Sequence, residues 1–531
     1  MTARRYARLG LAALGAGLAL ALTACGGAGG NPAGDTPSEF RFALASDPGC
    51  LNPRVAGNND AAYPSRQLVD SLTDQDPETG EIVPWLAESF TQSDDAKEFT
   101  FKLRPGVTYS DGTPVDARSV KDNFDEVIRN GASQGTSLQF LSGYAGTDVV
   151  DELTARVRFR EPNAQFLQAS ASHFLGLLAK SSLDTDPADR CAGNLVGSGP
   201  FVLESYAANS EVVETRRADY DWGSSLWARK GAAASDRLIF PIIAESGVRS
   251  GSLRSGQVDA IGGVAAQDEQ ALSAAGFTLQ SRPNPGVVFG LRFNVKRPIT
   301  SDVRVRRAFA RAIDAGAITS AVLSPSFRAA SSPIAANTPG WVDLSEQLRP
   351  DPAAAAALLD EAGWLTGPDG IRVKDGERLH LVAYWGTNFN PNQAALELQQ
   401  QQLRAVGIEL ELRQTQIGKL NETLSTGDFD LAWGNSTRPD PDILRNIYWQ
   451  DGVAPYGIED KELIKEFTAL QRTTDRAARL RHAENAQRII IEQAYTAPVF
   501  ELTTVLGLSK QARDVRFDSY SRLQLHAARV E

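Results

Sequence analysis

Pro84-Trp85-Leu86-Ala87-Glu88-Ser89-Phe90, then Phe99-Thr100-Phe101-Lys102-Leu103-Arg104-Pro105-Gly106-Val107 and Ser110-Asp111-Gly112-Thr113-Pro114-Val115, form the stretch on which the reading of the fold turns. Phe99, Phe101 and Leu103 alternate with polar residues, the period of a half-buried strand. Asp111-Gly112-Thr113-Pro114 breaks that pattern as a turn. Asp116 stands where a helix cap belongs. Val120, Phe124, Val127 and Ile128 follow on one helical face, and Gly131 after Asn130 supplies a stop signal. Strand, turn and helix thus succeed one another within a short span.

Towards the N-terminus, Phe40 to Leu44 alternates briefly as a strand and is broken by Asp47-Pro48-Gly49. Further upstream, Arg4, Arg5 and Arg8 precede an uncharged run from Leu9 to Ala24, which reads as an export leader. The run is shorter than the roughly 20 apolar residues needed to span a membrane as helix. Leu22-Thr23-Ala24-Cys25 resembles a bacterial lipobox, in which the cysteine is lipidated. The Gly- and Pro-rich residues that follow suit a flexible tether. The expectation is a signal peptide over 1–24 and a lipid-anchored linker over 25–38.

Towards the C-terminus, Leu153 to Phe159 alternates again, and Gly197-Ser198-Gly199-Pro200 is a tight loop before the strand Phe201-Val202-Leu203. The serines of Ser250-Gly251-Ser252 and Ser255-Gly256 read as turn residues between a strand and a helix. Asp302 caps a helix with Val305, Phe309 and Ile313 on one face. Asp351-Pro352 opens an Ala-rich helix that stops at Gly363. Asn390-Pro391 repeats the device for a helix ending at Gly407, and Ile408 to Leu412 follows as a strand. Helical patterns over about 460–472 and 475–494 precede strand-like Tyr495 to Leu508. Strands and helices interleave throughout, the mark of an α/β protein.

The chain has 531 residues, 42% hydrophobic and 22% charged, which suits a globular protein of several domains. Its formal net charge of −11 disfavours nucleic acid and anionic headgroups as partners. Besides Cys25 there are Cys50 and Cys191, which either pair in an oxidising compartment or stay as buried thiols. Four histidines, scattered along the chain, supply metal sites poorly. No nucleophile elbow, zinc-protease motif, C-x-x-C pair or Walker A sequence occurs. Asp440 and Asp442 could serve a glycosidase in principle, but each sits beside a proline, where aspartate starts turns and caps helices. Neither an enzyme, a metal nor a cofactor is expected.

The opening block is similar to the most recognisable part of the extracytoplasmic solute-binding proteins of ABC importers, the family that includes the oligopeptide, dipeptide and nickel receptors. Val196 to Phe201, Ser255 to Asp259, Phe293-Asn294 with Asp302 to Ala308, Asp351 to Trp364, Gln402 to Ile408, and Asp428 to Asp430 with Pro439 to Asp442 resemble further segments in order, from about residue 40 to 520. The resemblance implies a two-lobed α/β fold of the periplasmic-binding-protein type with an extra subdomain inserted in lobe I. Lobe I would comprise 39–75, 195–288 and 505–531, the insert 76–194 and lobe II 289–504. Chain crossings near Gly286 to Asn294 and 500–508 would be the hinge. The implied function is capture of a peptide or peptide-like solute and its delivery to membrane permease subunits. The protein would be a lipid-anchored monomer on the outer face of the cytoplasmic membrane. A sensory binding protein, a receptor for an anionic solute, saccharide or metal chelate, and a secreted hydrolase are the competing readings.

In peptide-binding members of that family, an extended ligand pairs with backbone from both lobes. The matching segments imply Ser46, Asp47 and Gly49 in lobe I, and Trp433, Asn435, Thr437, Arg438 and Asp440 in lobe II, as ligand contacts. Trp385, at the end of the run Leu379 to Tyr384, either stacks on ligand or belongs to the core. Family peptide receptors hold the ligand amine with an aspartate just before the acidic-Pro pair, where this chain has Thr437 or a gap. Arg438 would repel an ammonium and suit a carboxylate or phosphate; the alternative is a solvated loop arginine. Asp47 could supply a replacement counter-charge.

Overall fold

The computed structural model describes residues 38–386, 389–449 and 454–531. The expected leader, Cys25 and the expected linker up to residue 37 lie outside them. Among the described residues, no helix is long and apolar enough to cross a membrane.

Two mixed sheets form the centres of two lobes. In lobe I, seven strands run in the order Thr278–Pro283, Thr503–Leu508, Ala260–Gly262, Glu39–Ala43, Arg237–Pro241, Glu211–Arg216 and Phe201–Ala207. Glu39–Ala43 is parallel to both its neighbours, and the remaining pairs are antiparallel. Phe40, Phe42, Leu238, Phe240 and Leu506 form its core. In lobe II, five strands run in the order Glu409–Thr415, His380–Gly386, Leu431–Thr437, Gly286–Phe293 and Thr496–Phe500. The first three are parallel, with the helix Asn392–Ala405 as crossover between Glu409–Thr415 and His380–Gly386. Strands this buried on both faces read as continuous apolar runs, which explains Val287-Val288-Phe289.

The opening block builds the inserted subdomain. Ala87–Gln92, Glu98–Leu103, Thr154–Phe159 and Tyr144–Val149 make a four-stranded antiparallel sheet. The helix Ala117–Asn130 covers it, and its first turn is closed by a capping box between Asp116 and Ser119. Phe99, Phe101, Phe124, Val127, Phe159 and Phe166 interlock beneath that helix. Ile128 departs from the expected face and is 41% exposed, because it follows Val127 around the helix by more than a quarter turn.

Several other elements differ from the sequence reading. Ser250 and Ser252 lie inside the helix Ser246–Arg254, not in a turn, because Glu245 caps that helix through the N–H groups of Gly247 and Val248. Asn390 does not cap the helix Asn392–Ala405, whose N-cap position is Pro391 with no side-chain hydrogen bond. Tyr495 to Leu508 is two strands in different sheets, separated by Glu501-Leu502, because the chain passes from lobe II to lobe I there. The other crossing is Asn284-Pro285. The two crossings run side by side, with Asn284 N–H donating to Leu502 O at 2.7 Å. Thr504 Oγ1 also donates to Asn284 Oδ1 at 2.8 Å.

The cysteine alternatives resolve in favour of pairing, since Cys50 and Cys191 form a disulfide. It joins the loop after Glu39–Ala43 to the short helix Pro187–Cys191.

Candidate ligand-binding site

The lobe II strands Leu431–Thr437 and His380–Gly386 point their C-terminal ends towards lobe I. The two are paired through Ala383 with Leu431 and Tyr384 with Ala432. Among the described residues, that ladder stops at Ala432. On its other side the strand stays paired to its end, Ser436 with Val287 and Thr437 with Gly286. Among the described residues, nothing pairs the other backbone edge of Asn435 and Thr437, and residues 434–437 are half-buried between fully buried neighbours. An unpaired edge offers N–H and C=O groups to an added strand.

Arg438 follows directly, anchored by its own N–H to Pro285 O at 2.9 Å. It is 2% exposed and is no solvated loop residue. Its side chain crosses the seam between lobes and lies over the Phe140 ring, 4.5 Å from the centroid. Arg438 Nη1 donates to Gln165 Oε1 at 3.4 Å and Nη2 to Gln139 Oε1 at 3.2 Å. Burial lowers its pKa against the pull of Tyr520, Asp442 and Asp440.

Asp440 is buried and forked by Arg479, at 2.8 and 2.7 Å. Burial alone would raise its pKa, but the Arg479 guanidinium holds the carboxyl below its ordinary range. Its oxygens are spent on Arg479 and the Asp442 N–H, so it shapes the loop and is no open ligand group. Asp442 is likewise forked by Arg445.

In lobe I, Ser46 Oγ donates to Asp60 Oδ2 at 2.6 Å. Asp47 is not the free counter-charge expected. It accepts from Gly49 N–H at 2.6 Å, from the Tyr206 hydroxyl and from the Asn209 N–H. Burial raises its pKa, and these three donors outweigh that effect and lower it. The carboxylate shapes the turn in which Gly49 has φ +65°.

Trp433 and Trp385 point into the lobe II core, 2% and 5% exposed, which favours the core alternative for Trp385. Trp433 stacks on Phe289 with centroids 5.5 Å apart and meets Phe500 edge-on at 5.8 Å. Both indole N–H groups are buried without an acceptor.

Sequence reasoning missed the lobe I side of the seam. Gln139, Phe140, Gln165 and Gln168 come from the inserted subdomain, and Tyr520 and Arg522 from the C-terminal tail. Gln168 Nε2 donates to the Tyr520 hydroxyl at 3.1 Å. Arg522 Nη2 donates to Gly57 O at 2.6 Å, and its Nη1 is 3.2 Å from His173 Nε2. Burial, with Arg522 beside it, pushes the His173 pKa well down, so the ring is neutral. The one available signal was the polar and aromatic run Asp518-Ser519-Tyr520-Ser521-Arg522 in a tail that otherwise reads as mixed.

The lobes also touch elsewhere. Gln75 Nε2 donates to Pro439 O at 3.1 Å, Ala164 N–H to Gln471 O at 2.9 Å, and Arg476 Nη2 to Thr79 O. Beside these contacts a cleft of about 200 Å³ is lined by 76–80 of lobe I and by 336–339, Pro439 and Arg476 of lobe II.

Residues 81–456 match the family described as bacterial extracellular solute-binding proteins, family 5, middle region. The chain is 28% identical over 491 residues to a probable D,D-dipeptide-binding periplasmic protein of Escherichia coli K12, covering 89% of this chain and 90% of that one. It is 26% identical over 465 residues to the nickel-binding periplasmic protein of the same organism, covering 83% and 85%. In fold it is similar to NikA from Brucella suis, solved in complex with Fe(III)-EDTA, with TM-score 0.79 at 24% identity, covering 93% of this chain and all of that one.

Proposed function

The chain belongs to the bacterial extracellular solute-binding proteins of family 5, and from that premise we propose that it captures a peptide or peptide-like solute between its lobes for an ABC importer. Proteins of this family are extracytoplasmic carriers that work with permease subunits and catalyse no reaction. The edge of Asn435 and Thr437, which no described residue pairs, carries the peptide reading. An extended ligand laid along it would extend the lobe II ladder, and closure of lobe I would cover it. Trp433, beneath that edge, supports its position from the core side. Ser46, Asp47 and Gly49 form the turn that faces it from lobe I in this reading. The expected division, 39–75, 195–288 and 505–531 against 289–504 with 76–194 inserted, shifts by a few residues so that lobe II begins at Gly286 and lobe I resumes at Thr503.

Cys25 would carry the lipid that tethers a monomeric receptor to the outer face of the cytoplasmic membrane. The tether raises the local concentration of loaded receptor at its permease. Signalling to a membrane receptor would use the same closure. Native mass spectrometry of gently purified protein, followed by thermal shift with short peptides, tests this proposal. A peptide at 100 times its dissociation constant should stabilise the protein by about 2.7 kcal/mol. If peptides leave the melting temperature unchanged while a non-peptide solute is retained, the peptide reading falls.

A further inference from the structure

Arg438 differs from the other arginines packed around its loop in what it faces. Arg479 and Arg445 each fork a carboxylate, whereas Arg438 has only two neutral amides, at 3.2 and 3.4 Å, the long end of hydrogen bonding. Among the described residues no carboxylate lies within ion-pair distance of it, and none of Arg522, which is 3% exposed. Arg522 lies 5.4 Å from the Tyr520 ring centroid, and Phe140, under Arg438, is 6.2 Å from Phe174, under Arg522. Among the described residues, the seam thus holds two buried guanidiniums that no carboxylate pairs directly; Asp440 and Asp442 act on Arg438, and Asp518 on Arg522, only from further away. It also keeps unmet hydrogen-bonding capacity, since Gln165 Nε2, Gln168 Oε1 and Arg522 Nε are buried without partners. A buried, unpaired charge is costly unless something completes it.

We infer that the seam is built for the oxyanionic end of the solute, a carboxylate in a peptide-like ligand, with Arg438 as the residue that reads it. This rests on the binding-protein reading above. The guanidinium fork matches a carboxylate in two parallel hydrogen bonds. Half-turns of the Gln165 and Gln139 amides exchange Oε1 for Nε2–H₂ and add donors to the same anion. A ligand ammonium in this place meets Arg438 and Arg522 and is repelled. The solute therefore lies with its acid end, not its amine, against the loop after Leu431–Thr437.

The test uses the full chain and four probes: a mixture of di- and trialanine, the same peptides as C-terminal amides, glutarate, and inorganic phosphate, each followed by calorimetry. The free acids should bind about 10- to 100-fold tighter than the amides, the range of a charge-assisted contact. Arg438→Gln should abolish that ratio, and Arg438→Lys should keep part of it, with unchanged circular dichroism for both. Glutarate binding that depends on Arg438, with no peptide binding, supports the inference while sinking the peptide reading. Phosphate binding that depends on Arg438, with no binding of the free acids, overturns the carboxylate assignment. Amides that bind as tightly as acids, a ratio unchanged in Arg438→Gln, or no binding of any probe overturns the inference.

Discussion

Asp70 sits in lobe I with no exposed surface, accepting from the Tyr220 hydroxyl at 3.0 Å and from Trp222 Nε1 at 2.8 Å. Burial pushes its pKa up to about 7, more than those two donors and the nearby Arg66 and Arg217 pull it down. Folding therefore takes up a proton between the unfolded carboxyl range, near 4, and pH 7. In that window the native state binds more protons than the unfolded one, so stability falls as pH rises. One group contributes at most about 1.4 kcal/mol per pH unit. Urea titrations at pH 4.5, 5.5 and 6.5 should show Asp70→Asn flattening the slope by up to that amount. Equal slopes in the two proteins would mean that Asp70 is ionised throughout. Single residues were also where sequence reading reached least far. Asp440 has the look of a ligand residue beside its proline, but its partner Arg479 arrives two helices later in the chain, and no local pattern encodes that pairing. Asp47 is taken in the same way by the hairpin residues Tyr206 and Asn209.

The turn into lobe II depends on a backbone that only glycine adopts without strain. Gly286 has φ +110°, and a Cβ there would lie 2.3 Å from Ser436 O. Gly286 pairs with Thr437 and follows the crossing at Asn284-Pro285. Gly286→Ala should cost about 2 kcal/mol or more in chemical denaturation, from strain and displaced backbone together. It should also weaken ligand binding, because the strand it displaces carries the edge of Asn435 and Thr437; a variant with wild-type stability and affinity contradicts both statements. Elements were the most legible part of this sequence. Asp116, Asp302 and Asp351 each cap the helix that follows, with local hydrogen bonds that a local pattern records. Asn390 failed the same rule because Pro391 takes the N-cap position itself. Tyr495 to Leu508 read as one strand because burial on both sides of Glu501-Leu502 keeps the apolar pattern going across the change of sheet.

The lobes are joined across the seam by Gln75 to Pro439, Arg476 to Thr79 and Ala164 to Gln471 as well as by Arg438. A ligand that binds only the closed form has an affinity scaled by the fraction closed. Removing Gln75 and Arg476 together, as Gln75→Ala/Arg476→Ala, should enlarge the ligand-free radius of gyration in small-angle scattering and weaken binding, with the ligand-bound radius unchanged. No change in the ligand-free radius would assign these contacts no part in closure. The two-lobed plan was legible from ordered family segments, while the seam was not, because it joins the insert, the C-terminal tail and lobe II, which sequence order keeps far apart. The Cys50–Cys191 bridge spans 141 positions and encloses nearly all of the insert. Cytoplasmic thiol pools keep such pairs reduced. While still inside the cell, the chain thus lacks the constraint that fixes the loop after Glu39–Ala43 to the insert. Maturation is completed outside, after translocation, so a receptor with its bridge formed is one that has already reached the compartment where its solute is found.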